Sequence, residues 1–270
     1  MSLFQRLTRT LRSTPFNPAS TLRPPKSPCA PKMGPYFFGS GSYVGLGRRF
    51  YYSSFNRHES SNMKLIYGII GLNTGIFLYA QYLKEQARQG FPQPMITYLQ
   101  NMSLSLYGVL REGRYWTTVT SVFSHIDPMH IIGNMLSFYY MGQLLACTPT
   151  FTPLRLLTII LGSGLAGSAG YLYTAMQSAT TRQGNPRQMA LGFSGAVMGV
   201  GTIAAFLYPK TTFMIYGIVP VPLWGLMAGY AFYDGYYLND RGSRTAHSGH
   251  LGGLAFGILY YLAKLRGLRV

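Results

Sequence analysis

Apolar residues in this chain gather into long unbroken runs, not into the alternating or one-faced patterns of a soluble domain. From residue 64 onward six runs approach or reach the length of a bilayer crossing: 65–83, 129–147, 155–176, 189–208, 219–238 and 246–265. Each is predicted as a membrane-spanning helix, so the expected fold is an all-α, polytopic membrane protein. The fifth run is the least regular because Pro220 and Pro222 interrupt its start, and "FMIYGIV" (213–219) reads as a separate extended or re-entrant piece. The stretch 84–128, between the first two runs, is too long for a bare connector. Within it "MITYLQNMSLSLYGVL" has the amphipathic pattern of a segment lying at the membrane interface. No repeat of fixed period is present.

Composition supports a membrane protein. Only 11% of residues are charged and 48% are hydrophobic, whereas a soluble domain carries about a quarter charged residues. The net charge of +17 does not imply a nucleic-acid partner, since the basic residues form no cluster within a polar domain. They collect at the N-terminus and in the gaps between apolar runs, as membrane flanks do. Cys29 and Cys147 match no metal or redox spacing, and no disulfide framework is expected.

The first acidic residue is Glu59, and nine Lys or Arg precede it among many Ser, Thr and Pro. In "MSLFQRLTRTLR" the residues Leu3, Phe4, Leu7 and Leu11 share one helical face, with Arg6, Arg9 and Arg12 opposite. A basic, Ser-rich, acid-free amphipathic start is the pattern of a mitochondrial transit peptide. Residues 1–58 are therefore read as a targeting segment and 59–270 as the membrane domain. Charge does not orient the spans, with nine basic residues on one side and eight on the other.

Span direction is more informative. In a six-span chain, spans two, four and six start on the same face of the membrane. Span two carries His130 and Asn134, four apart on one helical face. Span four carries Ser194 and span six His250, each about five residues in from the predicted helix start. Four polar groups from three helices can thus share one shallow layer, where burial demands partners or a purpose.

That set can do acyl transfer. A serine hydroxyl is a poor nucleophile until a base takes its proton, and His250 is the candidate base. The Asn134 amide, a His130 ring N–H and a backbone N–H near Ser194 could donate to the developing oxyanion. Gly192 and Gly195 would let backbone and substrate approach, while Gly253 and Gly257 would let span six press against span four. No acid lies within four residues of His250: Asp240 is ten away and Asp234 sits in span five. The expected machinery is a Ser–His dyad without a carboxylate. A single serine in such a helix is ordinarily a packing residue, so the reading rests on the common side and depth. Zinc held by His247 and His250, with His125 or His130 joining them, is disfavoured, because no HExxH and no nearby acid is present. No metal or cofactor is expected.

"MHIIGN" in span two, "GFSG" in span four and "HLGGLAFG" in span six, in that order, resemble the rhomboid family of intramembrane serine proteases across about 65–265. The resemblance implies a six-helix bundle with a long interfacial first loop, Ser194 as nucleophile, His250 as base, and His130 and Asn134 supporting the oxyanion. It implies transmembrane proteins as substrates and the bilayer as partner, and with the presequence a multi-pass protein of the mitochondrial inner membrane. The family's Trp-Arg pair in the first loop stands here as Trp116-Thr117. Met198 occupies a position where bacterial relatives carry a tyrosine packed on the histidine. Two other readings stay open: an inactive relative that binds membrane clients without cutting them, and a transporter, for which Asp234 is the one candidate ionisable group.

Overall fold

The computed structural model describes residues 57–180, 185–215, 218–238, 240, 243 and 245–267. The expected targeting segment lies outside the described residues, save for its last two positions. Nine helices and one hairpin are described, in the order α1 (Glu59–Arg88), α2 (Gln93–Met102), α3 (Leu106–Glu112), α4 (Thr117–Thr120), α5 (Pro128–Cys147), α6 (Pro153–Thr180), α7 (Ser194–Leu207), β1 (Thr212–Ile215), β2 (Val219–Pro222), α8 (Leu223–Tyr236) and α9 (His247–Tyr260). A 3₁₀ turn at Ser121–Phe123 follows α4, and a π-helical turn at Tyr261–Leu265 continues α9.

Each of the six apolar runs contains a helix, but the lengths differ from expectation. Among the described residues α1 and α6, at 30 and 28 residues, are long and apolar enough to cross a membrane by length and composition. α7, α8 and α9 have 14 residues each, roughly 21 Å at ~1.5 Å per residue, short of the ~30 Å hydrocarbon core. The expected all-α architecture also needs correction. Residues 212–222 hold an antiparallel hairpin, with Thr212 opposite Pro222 and Ile215 opposite Val219. Pro220 and Pro222 lack the amide hydrogen a helix interior requires, and a two-stranded edge tolerates them.

Local chemistry sets the boundaries. α5 begins with Pro128 behind Asp127, whose carboxylate accepts the His130 N–H at 2.8 Å as an N-cap. The amphipathic run in the first loop divides into α2 and α3 at Ser103–Ser105, where Leu104 leaves the helix and Ser105 caps the next one. Gly113 ends α3 at φ 68°, the left-handed conformation suited to glycine. Cys147 closes α5, and Cys29 lies outside the described residues.

α9 packs chiefly on α6 and α7, which also pack on each other, while α5 lies against α1 and α7. Between α9 and its two neighbours several of these contacts are made backbone to backbone. A Cβ at Gly253 would collide with the carbonyl of Gly195, one at Gly257 would lie 2.7 Å from the Gly199 oxygen, and one at Gly167 2.8 Å from the Gly249 oxygen. Larger side chains fill the neighbouring layer, where Phe193 meets Phe138 edge-on at 4.9 Å and both are fully buried.

The Gly253 contact yields a stability prediction. Gly253→Val should lower the thermal unfolding midpoint in detergent, with a free-energy cost above the ~1–3 kcal/mol typical of overpacking, because backbone and not a flexible side chain must yield. Gly68→Ala, where an added methyl meets nothing within 4 Å, should leave the midpoint unchanged or raise it. Equal midpoints for Gly253→Val and wild type would refute this packing.

Candidate active site

A non-helical segment, 186–193, leads into α7 and is held on one side by the first loop. Tyr107 donates its N–H to Pro186, Leu104 and Ala190 exchange both backbone bonds at 2.8 Å, and the Gly192 N–H reaches the Ser121 carbonyl at 2.9 Å. The Phe193 N–H donates to His125 Nε2 at 3.2 Å. Gly192 adopts φ 133°, and a Cβ there would lie 2.5 Å from the His130 ring, so two independent constraints require glycine. This segment delivers Ser194 as the first residue of α7, not five residues inside a longer helix.

At that place the helix start presents backbone donors. The first intrahelical acceptor, the Phe193 carbonyl, is taken by the Val197 N–H. The N–H groups of Ser194, Gly195 and Ala196 therefore lack intrahelical acceptors and form the positive end of the helix dipole. They are donors of the kind an oxyanion requires.

His250 lies in the first turn of α9, and its Nε2 stands 2.8 Å from Ser194 Oγ. Its Nδ1 lies 3.1 Å from both oxygens of Asp234, in the last turn of α8. The expected absence of a carboxylate is thus overturned. α8 and α9 are consecutive helices, and Asp234, though 16 residues from His250 in sequence, meets it across the connecting loop. With Asp234 ionised, Nδ1 carries the ring proton and donates it to the carboxylate, leaving Nε2 free to accept from the serine. Asp234 is 1% exposed and has a second partner, His247 Nδ1, at 2.7 Å.

The other two predicted residues sit on α5. Ser194, His250, His130 and Asn134 all line one cavity of about 1400 Å³, together with Met198, Met141 and Tyr230. The Asn134 amide is engaged with His125 Nε2 at 2.9 Å. His125 joins the approach to Ser194 to α5, because its Nε2 faces both the Phe193 N–H and the Asn134 amide. Its ring also stands edge-on to that of His130, with centroids 5.0 Å apart.

The first loop has lost its expected arginine at Thr117, but Arg114 anchors it. Arg114 donates to the Gln100 carbonyl at 2.7 Å and pairs with Glu112. Trp116 Nε1 donates to Asn101 at 3.2 Å, and Thr120 donates to the Asn101 carbonyl at 2.6 Å. The two sides of the loop are thereby closed on each other without residue 117.

Residues 112–267 match the family model of the Rhomboid domain. The chain is 30% identical to RHOMBOID-like protein 12, mitochondrial, of Arabidopsis thaliana, across 76% of this chain and 60% of that protein. It is 28% identical to Rhomboid-like protein 16, chloroplastic, of the same plant, across 65% and 52%. It is 25% identical to an uncharacterized mitochondrial rhomboid protein of Schizosaccharomyces pombe, across 63% and 55%. The chain thus spans little more than half the length of these relatives.

His125 gives the site a pH signature. Burial, and secondarily the nearby His130, push its pKa from 6.5 to about 3. A histidine depressed on folding contributes stability that is complete above about pH 6.5 and is lost progressively as pH falls toward 3. Lowering pH from 7.5 to 5 should therefore reduce the thermal midpoint of the wild type. His125→Gln can accept the same two hydrogen bonds through its carbonyl oxygen without titrating, and should show a shallower fall. Parallel curves would refute the assignment.

Proposed function

The chain belongs to the rhomboid family, and on that premise we propose that it is an intramembrane serine endopeptidase that cuts transmembrane segments of other membrane proteins. The observation that carries the proposal is the 2.8 Å contact between Ser194 Oγ and His250 Nε2 at the wall of a large cavity. Ser194 attacks the scissile carbonyl carbon while its proton passes to His250 Nε2. The resulting imidazolium is stabilised by Asp234 at Nδ1. The oxyanion is received by the free N–H groups of the first turn of α7, with His130 and Asn134 facing the same cavity. His250 then protonates the departing amine, and a water, activated by the same ring, hydrolyses the acyl-enzyme. No cofactor or metal takes part.

In this reading residues 59–270 form the membrane domain, with six helices in the bilayer and the first loop at its surface. The short α7, α8 and α9 are extended toward the interfaces by segment 186–193, the hairpin and the π-helical turn. Ser194 begins its helix and His250 stands in the first turn of its own, so the reacting groups lie near one membrane face. That placement supports access of the water that hydrolysis consumes. The basic amphipathic start, and relatives named as mitochondrial, support a multi-pass location in the mitochondrial inner membrane after removal of the targeting segment. An unspecialised packing role for Ser194 is disfavoured by its histidine partner. A transport role for Asp234 is disfavoured because its carboxylate is occupied by two imidazoles.

Serine activation can be tested without a known substrate. A fluorophosphonate loses fluoride to an activated serine, whose proton goes to the base. The purified protein should be labelled on Ser194, with labelling abolished in Ser194→Ala and reduced at least 10³-fold, by order of magnitude, in His250→Ala. Labelling that survives in Ser194→Ala would place the reactive group elsewhere.

A further inference from the structure

The carboxylate of Asp234 serves two histidines, and the shorter bond is not the one to the catalytic candidate. His247 Nδ1 lies 2.7 Å from Oδ1, while His250 Nδ1 lies 3.1 Å from each oxygen in a divided bond. The shorter distance lies at the tight end of the charge-assisted range. His247 and His250 are three residues apart on α9, so both rings project from one face toward the end of α8. His247 is 4% exposed. Its Nε2 meets Ser243 Oγ at 2.8 Å, and that hydroxyl oxygen accepts the Thr245 N–H at 3.1 Å. The donors and acceptors are mutually consistent. Thr245 N–H donates to Ser243, Ser243 O–H donates to His247 Nε2, and His247 Nδ1–H donates to Asp234. The rings of Tyr233 and Tyr237 flank His247, with centroids 5.6 and 5.8 Å away.

We propose that His247 is a positioning residue of the proteolytic site, clamping the Asp234 carboxylate so that it faces His250 Nδ1. This inference rests on the reading of Ser194 as nucleophile and His250 as its base. Asp234 is carried by the last turn of α8, beside a loop, where a carboxylate held only by the divided bond to His250 would be free to turn about χ2. The 2.7 Å bond from His247 removes that freedom. When His250 takes the serine proton, the carboxylate is already aimed, and no reorganisation is needed at the reacting moment. Ser243 performs the same service one step out, holding His247 in the tautomer that donates from Nδ1.

The test compares second-order rates of fluorophosphonate labelling in the detergent-purified full chain, with thermal midpoints measured alongside. His247→Phe keeps a ring between the two tyrosines and loses the donor. His247→Asn loses the ring and can present its amide nitrogen in place of Nδ1. The expected result is a drop on the order of tenfold for His247→Phe, rates within about threefold of wild type for His247→Asn, and no further drop when His247→Phe is added to Asp234→Asn. A packing role predicts the reverse order of Phe and Asn. An unchanged rate in His247→Phe, an Asn variant as slow as Phe, or an additive loss in the Asp234→Asn background would each overturn the proposal. If His247→Phe fails to fold, Ser243→Ala replaces it, with a rate expected about threefold below wild type; a wild-type rate there overturns the proposal as well. An unlabelled wild type would instead sink the serine reading itself, whereas normal labelling of wild type and His247→Phe alike would remove only the role of His247.

Discussion

Any side chain at position 253 would have to occupy space held by the carbonyl of Gly195, and that exclusion sets the distance between α7 and α9. The same holds where Gly257 meets Gly199 and where Gly167 meets Gly249. In lipid, helices gain little from hiding apolar surface from one another, so close backbone approach and dispersion take the place of hydrophobic burial. Three helices packed this tightly leave little freedom for residues carried near their ends. Ser194 begins one of these helices and His250 stands in the first turn of another, so their 2.8 Å contact follows from glycine packing several residues away.

A second constraint fixes the direction of approach. Segment 186–193 is bonded along its length to the first loop, by Tyr107, Leu104, Ser121 and His125 in turn. That loop is in turn closed by Arg114, Trp116 and Thr120. The chain enters α7 at a set angle with Gly192 turned against the His130 ring. Loop, approach segment and helix start therefore behave as one unit, and the large cavity opens beside it.

Much of this was legible from residue order. Apolar runs located all six principal helices, and counting spans put the starts of the second, fourth and sixth on one face. The same counting puts the end of the fifth there as well, but spacing along the sequence does not pair Asp234 with His250, 16 residues on. Its partner lies across a turn between antiparallel helices, a relation that local spacing does not record. An apolar run does not distinguish a non-helical approach from helix, and so it sets Ser194 too deep. The positive φ of Gly192 and the bonds to the first loop, which end the helix at residue 194, are tertiary effects. The hairpin at 212–222 was half visible in its prolines. The sequence offers His125 only as a ligand in the disfavoured zinc reading, since a histidine in a loop before a helix has no other mark until Phe193 and Asn134 converge on it.

Proteolysis within a membrane helix can be observed in a single reconstitution. The protein would be placed in liposomes with single-span helical peptides that carry glycine or proline within the apolar stretch, and the products identified by mass spectrometry. The account predicts cleavage inside or at the border of the span by wild type and intact peptide with Ser194→Ala. Intact peptides with wild type that labels at Ser194, or cuts that persist in Ser194→Ala, would contradict it.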